Sequence, residues 1–282
     1  MIKFRRLLDA DDGVAGVIVA VLMIGLLVSG IGFIQSVFVP QWMEQKEAEH
    51  MDNVAIQFSQ LKYSIDTLSV TSQSNSQIST PITLGSDKLP FLKSMRSYGS
   101  INVLPNYHKI RIDDKNGEQL FYILGSVKYS STNSYYIDQD YFLENGALIQ
   151  NQNSKQIMVV DPAFSIIDAE DLEFRIVKFT GIGMETSASG YGTYPIKAKY
   201  IESESMFINN VENITIYTDN IAAWKIFFEK ELSKSYINFN IEENLDNKSI
   251  KIYFFETEEV DLPDLDLIVN SINIKISPGW GN

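Results

Sequence analysis

The sequence predicts an α+β protein that is mostly β. An N-terminal transmembrane and stalk helix leads into an antiparallel, sandwich-like, β-rich head with one amphipathic helix. Three observations support this. Residues 14–39 read VAGVIVAVLMIGLLVSGIGFIQSVFV, without a charged side chain. Apolar side chains recur every three or four residues from Met51 to Leu68. Beyond residue 81, runs rich in Tyr, Phe, Ile and Val alternate with turn residues at short intervals, the pattern of strands and hairpins.

The apolar segment comes first. As a helix its 26 residues span about 39 Å, enough to cross a hydrocarbon core of about 30 Å with some tilt. A soluble core helix does not need apolar residues on every face over that length. Lys3, Arg5 and Arg6 precede the segment, and Glu44, Glu47 and Glu49 follow it with Lys46 as the nearby cation. That asymmetry puts the N-terminus in the cytoplasm and residues 40–282 outside the cell membrane, in a single-pass topology. Gly25 and Ser29, four apart, offer a small-xxx-small pair for close approach of a second helix. An ordinary secretory peptide is not expected. The apolar run is too long, and Pro40, Gln41 and Trp42 follow it instead of a small-residue cleavage site.

The stretch DADDGVAGVIVAV, residues 9–21, resembles the leader junction of archaeal type IV pilin-like, membrane-anchored surface proteins. Such class III (prepilin-type) signals are cut ahead of the apolar helix. The resemblance implies a leader at 1–13, a processing junction between Gly13 and Val14, and a prepilin-type peptidase as partner. Val17 and Ile18 match the family's run, whereas Ala15 and Gly16 stand in place of its Ser and Pro. The likeness extends through VPQWMEQKEAEH (39–50), LGSDKLPFL (84–92), YFLENGALIQNQ (141–152), SASGYGTYPI (187–196) and ITIYTDNIAAWKIFF (214–228). That family has no established biochemical activity, so the resemblance implies topology and location, not a reaction.

Residues 40–70 read as the stalk helix. Pro40 lacks an amide donor and is expected to kink or restart it. Met51, Val54, Phe58, Leu61, Ile65 and Leu68 fall at spacings of 3, 4, 3, 4 and 3, an a/d stripe. Two readings of the stripe stand: it packs on the chain's own head, or it associates with other helices as in a pilus core. The charged stretch 44–52 reads as a solvated neck, and Trp42 suits the interfacial aromatic belt. TSQSNSQIST, residues 71–80, is polar, uncharged and Ser-rich, and reads as the linker to a head at 81–282.

In the head, strands are expected at 100–104, 108–113, 119–129, 135–138, 147–150, 156–160, 172–180, 195–203, 211–217, 236–241, 249–256 and 265–276. Asn145-Gly146 between two such runs signals a tight hairpin. One helix interrupts them, with Asp219 as candidate cap and Ile221, Trp224, Phe228 and Leu232 on its core face.

Little in the sequence speaks for chemistry. With 36 acidic and 23 basic side chains, a net charge of −13 argues against a nucleic-acid partner. The absence of Cys excludes thiol catalysis, disulfides and Cys-ligated metals. There is no nucleophile elbow, P-loop or dinucleotide fingerprint. His50 and His108 lie too far apart in the expected fold to share a metal. No catalytic residue, metal site or cofactor is therefore expected. Two acidic clusters, Asp168/Glu170/Asp171/Glu173 and Glu256/Glu258/Glu259/Asp261/Asp264/Asp266, read as solvated faces, with a Ca²⁺ loop or a hydrolase carboxylate pair as alternatives. Asn213-Ile214-Thr215 and Asn247-Lys248-Ser249 are N-glycosylation sequons. The expected role is that of a structural or interaction protein of an archaeal cell envelope, not an enzyme. It would meet the membrane, other pilin-like subunits as a minor pilus subunit, or surface-layer proteins. The alternative is a membrane-tethered glycan- or calcium-binding module, and below it a surface hydrolase.

Overall fold

The computed structural model describes residues 3–73, 75–89, 95–168, 170–181 and 186–277, with side chains from residue 14 onward. The first two leader residues, the leader's side chains, residue 74 of the linker and residues 90–94 lie outside the described residues. A long apolar helix leads into a mostly β domain of two curled sheets, as the sequence predicts.

The helical part has three pieces: α1 (Lys3–Phe33), a π-helical turn (Ile34–Phe38) and α2 (Val39–Thr71). Pro40 explains the turn. It cannot donate to a carbonyl one turn back, so the chain widens and Val39 N–H reaches the Ile34 carbonyl instead. α2 then restarts with Pro40 in its first turn, where no intrahelical donor is required. It ends at Ser72, which is left-handed (φ 47°) and donates its amide to the Leu68 carbonyl at 3.0 Å.

The strands are β1 (Gln77–Thr83), β2 (Tyr98–Asp114), β3 (Gln119–Thr132), β4 (Asp140–Glu144), β5 (Ala147–Gln152), β6 (Lys155–Val160) and β7 (Ala163–Ile167). Then come β8 (Asp171–Gly181), β9 (Ser187–Gly190), β10 (Thr193–Ile208), β11 (Val211–Tyr217), β12 (Phe239–Asn244), β13 (Ser249–Phe254) and β14 (Leu265–Ile276). One sheet has the order β1-β10-β14-β8-β7; the other runs β12-β13-β11-β2-β3-β4-β5-β6, with β9 paired to β2. All pairs are antiparallel except β14 with β8, which is parallel and departs from the expected all-antiparallel head.

Four strands were not anticipated. β1 starts inside the stretch read as a linker, because Ile78 and Ile82 alternate among its Ser and Thr residues and pair with β10. β4 is masked in the sequence by its aromatic, mostly buried run, which lacks polar alternation. β7 and β9 are short edge segments. The strand expected at 135–138 is instead an irregular loop, for a reason given below.

The long strands change their buried face partway along. In β8, Leu172, Phe174 and Ile176 join one hydrophobic cluster, whereas Val177 and Phe179 join the other. In β3, Leu124 belongs to the first cluster and Val127 and Tyr129 to the second. Alternating residues point to opposite faces, so this change of parity means that opposite faces are covered at the two halves. The sheets therefore cross, and they touch at the crossing. A Cβ on Gly125 of β3 would stand 2.6 Å from the Phe179 carbonyl oxygen of β8.

Each cluster has its own helix. α3 (Ile221–Leu232) seals the first, with Ile221, Trp224, Phe228 and Leu232 all buried as expected. α2 fills the second: Met51, Val54, Phe58, Leu61, Ile65 and Leu68 are at most 2% exposed, against Ile82, Ile196 and Ile272 of one sheet and Ile101, Val127 and Tyr141 of the other. Of the two readings of the stripe, the chain uses the internal one. Its own head occupies that face, so these six side chains are not available to another helix. Nor is 44–52 a solvated neck, since Glu47, His50 and Met51 are buried.

Candidate functional site

From Val14 to Phe38 the helix is exposed at every residue except Gln35, which is half-buried. The large apolar side chains from Val14 to Phe38 are 37–75% exposed, and Gly25 and Ser29 lie among them. The change comes at the π turn, where Val39 and Met43 are the first buried residues, at 2% and 0%. Sixteen large apolar side chains left in water would cost on the order of 20 kcal/mol, more than a domain's whole stability. The segment is long and apolar enough to span a membrane. At its head-proximal end Phe33, Phe38 and Trp42 form a chain of rings, with centroids 5.7 and 5.8 Å apart.

Where the helix enters the head, two polar side chains fix it. Glu47 is fully buried, and its carboxylate accepts the amides of Ser134, Tyr135 and Tyr136 at 2.7–3.1 Å. Those amides would otherwise belong to a strand ladder, which is why 135–138 is a loop. His50 Nε2 lies 3.2 Å from both the Leu84 carbonyl and the Tyr129 hydroxyl; burial lowers its pKa, opposed by the Leu84 carbonyl and the Asp87 charge. The sequence holds a signal for both. Met43, Glu47, His50 and Val54 are spaced 4, 3 and 4, so the apolar stripe continues through them.

A second polar cluster joins β4 to the start of α3. Glu144 Oε1 accepts Trp224 Nε1–H at 2.7 Å and the Thr218 hydroxyl at 2.8 Å, and Oε2 accepts Asn220 Nδ2–H at 3.1 Å. Burial raises the Glu144 pKa against the pull of these three donors. Asp219 does not cap α3. Its Oδ2 accepts the Tyr107 hydroxyl at 2.8 Å and its Oδ1 pairs with Lys248 at 2.6 Å, while Asn220 takes the cap position without a side-chain bond to the helix amides. Next to Tyr107, His108 is 1% exposed with neither ring nitrogen hydrogen-bonded among the described residues, and burial lowers its pKa to about 3.

A cleft of about 280 Å³ opens beside the sheet crossing, between the end of α2, the Asn145-Gly146 turn and the β7 edge. Val70, Ala163 and Val177 form its apolar wall, and Asp66, Ser69 and Arg175 stand around it. Asn270 of β14 also lines it, paired in register with Val177. That residue is 1% exposed, and both its amide atoms lack a hydrogen-bond partner among the described residues.

Several members of the acidic clusters brace strands, while Asp168, Glu170, Glu258, Glu259 and Asp261 are exposed, as on a solvated face. Asp264 Oδ1 accepts Asn210 N–H at 2.8 Å, Asp171 Oδ1 accepts Asp264 N–H at 3.1 Å, Glu173 pairs with Arg175 at 2.8 Å and Glu256 with Lys115. No group of three or more carboxylate or His side chains among the described residues could hold a metal ion. The two sequons differ. Asn213 sits in β11 between β2 and β13, 5% exposed, which corrects its reading as a glycan acceptor. Asn247 is exposed, in the turn between β12 and β13.

Comparison of the chain with protein-family models, curated proteins and solved structures finds no match.

Proposed function

We propose that this is a structural or interaction protein of an archaeal cell envelope, pilin-like, held by its N-terminal helix with the head facing outward. One observation carries the reading: a single helix is bare and apolar up to Phe38 and locked into the head from Val39. Such a helix transmits position between a bilayer or filament core and a rigid head. The basic residues before the span and the acidic ones after it support a cytoplasmic N-terminus. The junction at Gly13 and Val14 supports processing by a prepilin-type peptidase. Gly25 and Ser29, on the bare segment, support helix–helix contact with other pilin-like subunits. Surface-layer proteins are the alternative partners of the head.

Mass spectrometry of the protein purified from its cells tests processing. A mature chain starting at Val14 is expected, and one starting at Met1 overturns that part. Protease treatment of intact cells tests orientation: digestion of the head is expected, and a protected head overturns it. Immunogold labelling of sheared surface filaments decides between filament subunit and lone anchored protein.

The second reading, a tethered glycan-binding module, is favoured by the lateral cleft. Its calcium variant finds no ligand cluster among the described residues.

A further inference from the structure

Buried polar groups in folded proteins are almost always hydrogen-bonded, because an unpaired one forfeits its hydration. Around the lateral cleft this rule is broken at several atoms together. Both amide atoms of Asn270, Nδ2 of Asn145 and Oγ of Ser69 are buried without a partner among the described residues. Asn145 is held by its other atom, since Oδ1 accepts Val177 N–H at 3.2 Å. Among the described residues nothing holds the Asn270 side chain, which lies inside the sheet at 1% exposure. The surrounding wall of Val70, Ala163 and Val177 is small and apolar. A carboxamide can both donate and accept, and another amide can meet it with either its N–H or its carbonyl oxygen. An adjoining methyl group suits the wall.

We propose that the cleft binds the acetamido group of an N-acetylated sugar. The amide pairs with Asn270, and the methyl packs against Val70, Ala163 and Val177. The ring hydroxyls reach Asp66, Ser69 and Arg175. A volume of about 280 Å³ suits one sugar unit, not an extended chain. This site deepens the glycan-binding reading and does not depend on the helix being a membrane anchor or a filament element.

The test is saturation-transfer NMR on the full chain in micelles of a sugar-free detergent. The probe is N-acetylglucosamine, with glucosamine and glucose as controls. Transfer is expected to be strongest at the acetyl methyl and absent for glucosamine and glucose. Asn270→Leu is expected to weaken binding about tenfold, through loss of a buried hydrogen bond to the acetamido group. It should fold normally, because it removes unpaired polar atoms. Ala163→Phe, at an exposed position on the cleft mouth, is expected to abolish transfer by filling the space. No transfer in the wild type, equal transfer from the controls, or full binding by both variants would each overturn the proposal. None of these outcomes bears on leader processing or head orientation.

Discussion

His108 offers a measurable link between burial and pH. The ring is 1% exposed and makes no hydrogen bond among the described residues, and desolvation lowers its pKa from 6.5 to about 3. The sign follows from proton counting. Between these two values the unfolded chain binds a proton at this site and the folded chain does not. Stability from this residue is therefore complete above pH 6.5 and lost as pH falls toward 3. At pH 5 the loss is RT ln(1 + 10^1.5), about 2 kcal/mol relative to pH 8. The perturbation is His108→Leu, which keeps an apolar side chain of similar reach. Since both ring nitrogens are unpaired, the variant is expected to be as stable as the wild type at pH 8, or more so. At pH 5 it is expected to lead by an additional amount of about 2 kcal/mol. The assay is urea unfolding of the full chain in detergent micelles at both pH values, followed by near-UV circular dichroism. Comparing the two proteins cancels the background titration of the carboxylates. Equal pH dependence in both, or a loss above about 2 kcal/mol at pH 8, would refute the reasoning, because either requires a partner for the imidazole.

Four further outcomes are expected. Phe58→Ala, which removes a ring stacked on Tyr141 and edge-on to Tyr129, each at 6.1 Å, should cost about 3–5 kcal/mol in the same unfolding assay. Glu144→Ala strands three buried donors and should cost about 3–5 kcal/mol, whereas Glu144→Gln should cost much less because Asn220 can turn its unpaired Oδ1 toward the new amide. Gly125→Ala should lower the thermal midpoint measurably, since its Cβ meets a backbone oxygen at 2.6 Å that cannot yield without parting the sheets. In a host that glycosylates such sequons, Asn247→Gln should remove a mass shift on gel electrophoresis and Asn213→Gln should not, given their opposite exposure.

Much of the architecture was legible in the sequence because it depends on periodicity. An uncharged run of 26 residues reads as one long helix whatever surrounds it. Most strand runs and the face of α3 were readable from alternation and from 3-4 spacing. Three of the misses share one cause: a residue's partner came from far along the chain. Tyr135 and Tyr136 favour a strand locally, but Glu47, nearly ninety residues earlier, captures their amides. Asp219 is a good cap by type, yet Tyr107 and Lys248 claim its oxygens first. Asn213 carries a valid sequon, but its neighbours β2 and β13 enclose it.

The sequence by itself determined that a bare apolar helix leads into an acidic β-rich head, because apolar length and alternation are local properties. Only the tertiary structure decided which way the α2 stripe turns. A stripe at 3-4 spacing fits a neighbouring helix or a gap between two sheets equally well, and its energy depends on apolar area covered, not on what covers it. The crossing of the sheets made the gap, at the point where β3 and β8 change their buried face. That same crossing left the cleft at its side, with Asn270 unpaired within it. No local signal distinguishes such an asparagine from one facing solvent, because the burial that gives it meaning is built by strands distant in the chain.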